Sequence, residues 1–483
     1  MTPIFDNSYA RLPDRFYARR APEIAPSPSL VRVNSPLGEA LGLSADWLTS
    51  DAALDAFSGR GVPEGAEPIA MAYAGHQFGN WVPQLGDGRA VLLGEVVAPT
   101  GERFDLHLKG AGRTPFSRGG DGKAVLSAVL REYILSEAMA ALGVRTTRAL
   151  AAVTTGEQVY REGPEPGAVL CRVARGHIRV GTFQYFYARK DTEALEMLVD
   201  QSISRLVETT SGAEPAALTL LKRVMADQAD LIAHWMSLGF IHGVMNTDNM
   251  SITGETIDYG PCAFMEVFHP DQVFSSIDRQ GRYAWGNQPR IAHWNLAQFA
   301  QTLLPLIDAD TEKAAKIAQE LLDGFGPMFE AAYKRRMNPK IGFAGDSEKG
   351  HFLMTRFLQL LADSRVDFTG AFTALGRVLA GTDAGMLTGL FATAEDIETW
   401  LSDWRTEIAE AEALALMAAS NPVYIPRNHR VAEALAAANT GDFEAFETLL
   451  ALLKSPYVAR PEFADFEAAA EPHEAVTQTF CGT

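Results

Sequence analysis

The 483-residue sequence has few cysteines and no long apolar run, and positive charge is in the minority. Its three cysteines, Cys171, Cys262 and Cys481, form no CxxC pair, which argues against a structural zinc site or a secreted disulfide framework. No apolar run approaches the roughly 20 residues that a membrane span needs. The N-terminus also lacks the apolar stretch of a signal peptide. We therefore expect a cytoplasmic protein that does not bind membranes.

The charge balance is acidic, with 60 Asp and Glu against 42 Lys and Arg and a formal net charge of −18. This balance disfavours broad contact with a phosphate backbone, so no nucleic-acid partner is expected, although a local group of basic side chains can still bind a nucleotide. The 47% hydrophobic content and the length suit two or three packed regions. No motif specifies an oligomeric state, and a monomer is expected.

A strand followed by a helix places two opposite charges where they can meet. Residues 103–109, RFDLHLK, alternate between apolar and polar, which predicts a half-buried strand whose exposed polar face carries Lys109. Residues 123–142 have helical spacing, with Asp121 as the predicted cap. Glu132 lies on the apolar stripe of this helix. Because a lone buried carboxylate loses its solvation, we expect Glu132 to pair with Lys109; the alternative is that Glu132 points to solvent.

A second group of strands is predicted over residues 153–187, with AVLCRVA and TFQYFYA as its clearest members. Beyond this region the spacing of apolar residues becomes helical, including the segment VMADQADLIAHWMSLGF. After Trp294 the remainder is largely Ala- and Leu-rich helix. The pattern therefore indicates an α+β protein with its strands in the N-terminal part.

Two glycine-bearing turns flank the predicted lysine strand. Gly86, Gly88 and Arg89 lie in QLGDGR just before it, and Gly122 ends the GGDG turn that follows. Glycine permits close approach of backbone N–H groups to a phosphate. A GDG sequence alone is more typical of a tight turn, but its position beside the lysine strand favours a nucleotide-binding role.

Two further arginines, Arg172 in LCRVARG and Arg179 in HIRVGTF, follow the lysine and glutamate elements. Arginine binds phosphate oxygens through a planar fork and stays charged. Taken singly, each arginine is more typical of a surface ion pair. Together with Lys109 and Arg89 they give more positive charge than a kinase cleft needs, which suits a departing pyrophosphate.

Residues 242–249, HGVMNTDN, and the DYG triplet at Asp258 resemble the catalytic and metal-binding segments of protein kinases. The position of the kinase base is occupied by Val244, which cannot accept a proton. Asp248 stands directly before Asn249, and the metal pair Asn249 and Asp258 is intact. This combination indicates nucleotide chemistry by an altered route.

Four long segments resemble selenoprotein O, the YdiU family of protein adenylyltransferases with a pseudokinase fold. They are YAGHQFGNWVPQLGDGRAVLLGE, LKGAGRTPFSRGGDGKAVLSAVLREYILSEAM, CRVARGHIRVGTFQYF and HGVMNTDNMSITGETIDYGP. The similarity runs through nearly the whole chain and includes SNPVYIPRNHRVAEAL near the C-terminus.

The resemblance implies a protein-kinase-like bilobal fold with a β-rich N-lobe and a helical C-lobe. On this basis residues 1–70 would form an N-terminal arm and residues 71–190 the N-lobe with its nucleotide-binding loops. Residues 191–400 would form the C-lobe with the catalytic loop and the DYG triplet. Residues 401–483 would form a helical extension that ends in a cysteine-containing tail.

The resemblance also implies that ATP binds in reverse and exposes its α-phosphate. AMP would pass to a Ser, Thr or Tyr hydroxyl of a protein, with release of pyrophosphate. Asp248 would accept the proton, Asn249 and Asp258 would bind Mg²⁺ or Mn²⁺, and Glu132 would position Lys109. The residues implied to contact the nucleotide are Gly86, Gly88, Arg89, Lys109, Asp121, Gly122, Arg172, Arg179 and Asp258.

Three alternatives stay open beside adenylyl transfer. The same cleft could transfer UMP from UTP with Mn²⁺, the protein could be a true kinase acting on a protein or a small molecule, or it could be an inactive scaffold. Family members carry a selenocysteine or cysteine near the C-terminus, and Cys481 occupies such a place. The resemblance places the partner cysteine downstream of the DYG segment, where HPDQVFSSID has none, so we hypothesise that the nearby Cys262 pairs with Cys481 instead; the alternative is a free, inert thiol.

Overall fold

A computed structural model describes residues 2–161, 163–207 and 214–480. The described residues form an α+β structure, as predicted, with an antiparallel sheet in the N-terminal part and helices in most of the rest. The strands are β1 (Tyr17–Arg19), β2 (Ser29–Val33), β3 (Ile69–Met71), β4 (Gly75–Gln77), β5 (Asn80–Val82), β6 (Ala90–Val97), β7 (Arg103–Lys109), β8 (Ala124–Val125), β9 (Arg148–Tyr160), β10 (Pro164–Ala174), β11 (Phe240–Ile241) and β12 (Ala263–Phe264).

The main sheet has the strand order β1-β3-β6-β7-β10-β9-β2, and β8 pairs with β10 off this path. The N-terminal segment supplies both edges, β1 on one side and β2 on the other. In the middle of the sheet, Leu170 of β10 pairs with Lys109 of β7, and Arg172 pairs with His107. Because side chains alternate along a strand, Lys109, His107 and Arg172 lie on the same face of the sheet.

Helices make up most of the described chain after β10, and none of them is both long and apolar enough to cross a membrane. The α-helices are α1 (Ser35–Ala40), α2 (Ala45–Leu48), α3 (Asp51–Ser58), α4 (Leu126–Ala141), α5 (Val180–Tyr187), α6 (Thr192–Leu206), α7 (Ala216–Ser237), α8 (Gln288–Ile307), α9 (Thr311–Asp323), α10 (Phe325–Met337), α11 (Glu348–Ser364), α12 (Phe368–Leu379), α13 (Gly385–Thr388), α14 (Ala394–Arg405), α15 (Glu410–Ser420), α16 (Asn428–Asn439) and α17 (Glu444–Leu453). Short 3₁₀ helices include Thr247–Asn249 and Trp285–Asn287.

Helix α4 is held between the sheet and the C-terminal helices α16 and α17. Its residues Leu130 and Ile134 are fully buried in a core shared with β9, β10 and both C-terminal helices. Tyr133 packs edge-on against Phe446 of α17, with ring centroids 5.9 Å apart. The helix that carries Glu132 is therefore fixed from both sides.

The polar side of β7 was expected to be exposed, and this expectation is wrong. Asp105 and His107 are 2% and 1% exposed. Asp105 accepts hydrogen bonds from His177 Nδ1 at 3.0 Å and from Arg205 at 2.8 Å, and His107 lies 3.3 Å from the carboxylate of Asp87. A buried charge needs such partners, and they come from distant parts of the chain that the local pattern does not report.

The segment TFQYFYA was predicted to be a strand, but it belongs to helix α5. The Thr182 hydroxyl accepts a hydrogen bond from the Arg179 backbone N–H at 3.2 Å, in the first turn. Phe183 packs on Phe299 of α8, and Phe186 packs on Phe16. The alternating aromatics suit a strand by propensity, but burial of Phe183 and Phe186 against different neighbours favours the helix.

Candidate active site

A cavity of about 600 Å³ brings the predicted site residues together. Its wall combines the glycine turns, the strand ends and the loop that contains Val244. The predicted residues that line it are Gly86, Gly88, Arg89, Lys109, Asp121, Gly122, Arg172, Arg179, Asp248, Asn249 and Asp258. Glu132 and Cys262 are not in this wall.

Five side chains form an ionic cluster at the cavity wall, defined as Lys109, Glu132, Arg172, Arg179 and Asp258, of which all but Glu132 line the cavity. Lys109 Nζ lies 2.5 Å from Glu132 and 3.0 Å from Asp258. Arg172 donates to Glu132 at 2.7 Å and to Asp258 at 2.7 Å, and Arg179 lies 3.5 Å from Asp258. The predicted contact between Lys109 and Glu132 is thus present, and Glu132 does not point to solvent.

The cluster keeps its carboxylates ionised. Burial acts to raise the pKa of Asp258, but the charges of Lys109, Arg172 and Arg179 outweigh it and hold the pKa well below its usual value. Burial likewise opposes ionisation of Glu132, and Arg172 followed by Lys109 lowers its pKa on balance. Three cations face two carboxylates, so the cluster carries excess positive charge toward the cavity.

The glycine turn at residues 86–88 is shaped by its contact with Phe116. Gly86 has φ +80°, and a Cβ atom there would lie 2.3 Å from the Phe116 ring. A Cβ atom on Gly88 would lie 2.8 Å from the Phe116 carbonyl oxygen. Neither position tolerates a side chain, and the backbone itself therefore forms this part of the cavity wall.

Asp121 was expected to cap the helix that carries Glu132, and this expectation is wrong. Strand β8 separates Asp121 from α4, whose N-cap residue is Val125. Asp121 instead accepts hydrogen bonds from the Lys123 backbone N–H at 3.0 Å and from two nitrogens of Arg161, both at 2.9 Å. The turn thus presents a carboxylate at the cavity, not a helix N-terminus.

Asp248 lines the same cavity, and its carboxylate has partners unlike those of Asp258. One carboxylate oxygen, Oδ2, accepts a hydrogen bond from Gln77 Nε2 at 3.2 Å. The other, Oδ1, is buried without a hydrogen-bond partner among the described residues. Burial raises the pKa of Asp248 to about 6. A carboxylate with such a pKa can take up and release a proton near neutral pH.

Asn249 and Asp258 were predicted to bind a divalent cation, and the residues present fit such an ion. The Asn249 amide nitrogen donates to the Val244 carbonyl at 3.0 Å, which leaves its Oδ1 as an acceptor. No cluster of three or more His, Cys, Asp or Glu side chains with metal-ligand geometry occurs in residues 2–161, 163–207 and 214–480. Mg²⁺ typically needs only one or two protein carboxylates because substrate phosphates and water complete its shell.

Of the suggested redox pair, Cys262 is among the described residues. Cys262 is fully buried, and its thiol donates to the Tyr259 carbonyl at 3.3 Å. Cys481 lies outside the described residues. The neighbouring Thr479 donates its hydroxyl proton to the Pro261 carbonyl and pairs with Ser275. The last described part of the chain is therefore bound beside Cys262.

Several cavity residues were missed at the sequence level. They are Tyr73, Gln77, Asp87, Arg118, Arg161 and Asn246. Gln77 belongs to the short hairpin of β4 and β5, which the pattern GHQFGN could have indicated because Gly79 supplies a left-handed turn position. Arg161 pairs with Asp121 across 40 residues, and no local pattern reports such a contact.

Comparison with known proteins identifies close relatives. Residues 1–454 match the family described as protein adenylyltransferase SelO. The chain is 53% identical over 486 residues to the protein nucleotidyltransferase YdiU of Rhodopseudomonas palustris (strain BisB5), with 99% of each chain covered. It is 52% identical over 492 residues to the protein of that name from Methylorubrum populi, and 53% identical over 485 residues to the one from Jannaschia sp., again with 99% of each chain covered.

Proposed function

The chain belongs to the SelO family of protein nucleotidyltransferases, and from this we propose that it transfers AMP from ATP to Ser, Thr or Tyr hydroxyls of proteins. The observation that carries the proposal is the shared cavity of Asp248 and the ionic cluster. Val244, at the position of the kinase base, is 5% exposed and apolar. The cavity thus offers a proton acceptor at a place that γ-phosphoryl transfer by a kinase does not use.

In the proposed reaction, Asp248 takes the proton of the acceptor hydroxyl. The hydroxyl oxygen forms a bond to the α-phosphorus, and the bond from that phosphorus to the bridging oxygen of the β-phosphate breaks. Pyrophosphate leaves with the electron pair. The excess positive charge of Lys109, Arg172 and Arg179 stabilises the charge that develops on the leaving group.

A divalent cation, Mg²⁺ or Mn²⁺, would be held by Asn249 and Asp258 together with the nucleotide phosphates. When bound, it would neutralise phosphate charge and act as a Lewis acid. The backbone of Gly86, Gly88 and Gly122 leaves room for the nucleotide to approach closely. Glu132 holds Lys109 from behind the cavity wall.

The family relationship leaves the nucleotide open, and transfer of UMP from UTP with Mn²⁺ is the second candidate. A nucleobase pocket is not defined by the contacts described above, and the cluster recognises phosphates that ATP and UTP share. We also propose that the sheet-rich and helical parts correspond to the two lobes of a kinase-like fold. The predicted boundaries after residues 70, 190 and 400 stay predictions.

The test is to incubate the purified protein with Mg²⁺ or Mn²⁺ and nucleotides labelled at different phosphates. Label should reach protein from α-labelled ATP but not from γ-labelled ATP, and Asp248→Asn should keep only a small residual rate of this transfer. Parallel incubation with α-labelled UTP compares the two nucleotides directly. Label from γ-labelled ATP alone would instead identify a kinase, and no label from any nucleotide would favour an inactive scaffold.

The pairing of Cys262 with Cys481 stays a proposal of its own. It requires a local opening, because Cys262 is buried and burial raises the pKa of its thiol to about 12. Oxidation should then change activity in the parent protein and leave Cys481→Ser unchanged. An equal response of both proteins to the oxidant would exclude the pair.

A further inference from the structure

The short hairpin of β4 and β5 lies directly on the loop that contains Asp248. The His76 backbone N–H donates to the Thr247 hydroxyl at 2.7 Å. Two residues further on, the Phe78 N–H donates to the Asn246 side-chain oxygen at 2.9 Å. The hairpin backbone thus binds the two residues that precede Asp248, independently of the side chain that lies between the two contacts.

That intervening side chain is Gln77, and it reaches Asp248 itself. Gln77 Nε2 donates to Asp248 Oδ2 at 3.2 Å, and both residues line the cavity. An ionised carboxylate only accepts hydrogen bonds, so the amide nitrogen must be the donor. Within the described parts of the chain, no other side chain is seen to donate a hydrogen bond to this carboxylate.

Backbone also lies close to the Asp248 side chain. A Cβ atom on Gly75 would lie 2.8 Å from Asp248 Oδ1 and 3.1 Å from Asp248 Cβ. A Cβ atom on Gly181 would lie 3.4 Å from Asp248 Cα. The Asp248 carbonyl is also fixed, because Arg179 donates to it at 2.8 Å. Close packing therefore restricts the Asp248 side chain, and the hydrogen bond from Gln77 is the contact that can fix the orientation of its carboxylate.

We propose that Gln77 is a positioning residue, whose amide fixes the Asp248 carboxylate in the orientation that meets the acceptor hydroxyl. This inference rests on the proposed function, in which Asp248 accepts the proton. A neutral amide suits the task because it orients a carboxylate without an opposing charge. An arginine in its place would form an ion pair, as Arg172 does with Asp258, and would compete with the proton of the hydroxyl.

The first variant is Gln77→Met, which keeps the length of the side chain and removes the donor. Both backbone contacts of the hairpin remain possible, so the loop should stay in place. Loss of a hydrogen bond to a charged group predicts a kcat lower by about ten- to hundredfold. The KM for ATP should stay unchanged, because the ionic cluster is not altered. Gln77→Asn keeps the amide but is one methylene shorter, and it should show a similar loss.

The matched control is Gln319→Met on α9. Gln319 Nε2 donates to Asp323 Oδ1 at 2.7 Å on the exposed surface, which is the same amide-to-carboxylate contact far from the cavity. This variant should keep the parent kcat. Thermal unfolding and binding of a non-hydrolysable ATP analogue, measured for every variant, identify any that fail to fold.

The decisive measurement combines Gln77→Met with Asp248→Asn and compares the four proteins in AMP transfer over long incubations. If Gln77 acts through Asp248, it should lower kcat in the parent and cause no further loss in Asp248→Asn. An unchanged kcat in both Gln77 variants would overturn the inference, as would an equal loss in both backgrounds. Full activity of Asp248→Asn would remove the proposed base and this inference with it, whereas failure at Gln77 alone leaves the base in place.

Discussion

Two aspartates of the cavity, Asp248 and Asp258, differ sharply in the partners of their carboxylates. Asp258 lies within 3.5 Å of nitrogen atoms from Lys109, Arg172 and Arg179. Asp248, ten positions earlier, has only the neutral amide of Gln77 on its carboxylate among the described contacts. Asp248 is buried and Asp258 is partly buried; burial acts to raise both pKa values, so the difference between them follows mainly from the partners of each carboxylate.

The contrast shows how one cavity can serve two kinds of chemistry. Lys109, Arg172 and Arg179 hold the pKa of Asp258 well below its usual value, and this group of cations suits binding of phosphates. Burial raises the pKa of Asp248 to about 6, although the charge of Arg179 acts to lower it, and such a pKa suits the proposed exchange of a proton. Neighbours thus separate an electrostatic role from a proton-transfer role.

The largest effect on activity should come from removing the negative charge of Asp258. Asp258→Asn replaces an anionic predicted metal ligand with a weaker, neutral one and removes the negative charge that pairs with three cations, and it should lower AMP transfer by on the order of 10³-fold. Raising Mn²⁺ or Mg²⁺ should not restore the rate. Transfer of labelled AMP measures this, with Asp403→Asn as control, since Asp403 pairs with Arg356 on the exposed surface. Near-parent turnover in Asp258→Asn would contradict the metal assignment.

Replacing Asp248 and replacing Asp258 should change the stability of the fold in opposite directions. Burial raises the pKa of Asp248 to about 6, so ionisation destabilises the fold increasingly as pH rises from about 4 through 6. At pH 7.5 Asp248→Asn should therefore unfold at a higher temperature than the parent. Its free energy of unfolding should be higher by roughly 2 to 3 kcal/mol.

Asp258→Asn should unfold at a lower temperature than the parent. Its lowered pKa contributes stability above the usual carboxyl pKa, which is lost only as pH falls through the lowered value. Thermal scans at pH 4 and pH 7.5 test both signs, and the advantage of Asp248→Asn should disappear at pH 4. If Asp248→Asn is less stable than the parent at pH 7.5, ionisation of Asp248 and of Asp258 does not affect stability with opposite signs.

A smaller effect is expected for Lys109. Lys109→Met removes one of three cations and two hydrogen bonds to carboxylates, and Arg172 still holds both Glu132 and Asp258. The KM for ATP should rise by about ten- to hundredfold. Steady-state kinetics measure this, and Lys313→Met serves as control because Lys313 pairs with Asp308 on the surface. An unchanged KM would make the pair of Lys109 and Glu132 purely structural.

The smallest effect on activity is expected for Val244→Asp, which should not gain kinase activity. Val244→Asp places a carboxylate at the position of the kinase base, 5% exposed in the parent. Since the proposed nucleotide orientation presents the α-phosphate, transfer from γ-labelled ATP should stay absent. The variant should be less stable, because a buried carboxylate without partners is costly. Appearance of γ-label on protein would favour the kinase alternative.

Contacts that follow from a local sequence pattern were predicted better than contacts between residues far apart in the chain. The alternating strand and the apolar helical stripe made Lys109 and Glu132 candidates for a pair, and the kinase-like segments HGVMNTDN and DYG favoured that pair over a Glu132 that points to solvent. By contrast, Asp105 was assigned to an exposed face because its partner Arg205 lies 100 positions away. Long-range ion pairs leave no periodic signal, so burial of a polar residue cannot be inferred from the strand itself.

The errors at TFQYFYA and Asp121 have a related cause. Aromatic alternation favoured a strand, but helix α5 is set by the neighbours that its phenylalanines meet. Asp121 is of a residue type that often caps helices, but Ala124 and Val125, which lie between it and α4, form strand β8 and pair with β10. The hairpin carrying Gln77 was missed because its strands are three residues each, too short for a periodic pattern.

The placement of β1 and β2 has a consequence for how the chain is made. Ser29 pairs with Thr154, and Tyr17 pairs with Met71, so each edge strand meets a partner translated later. At ~5–20 residues per second, the ribosome needs roughly 6–25 s between Ser29 and Thr154. During that interval β2 has no partner strand, whereas β1 waits only for β3 at Ile69–Met71. The strand β2, which is translated second, is thus among the last that can join the sheet.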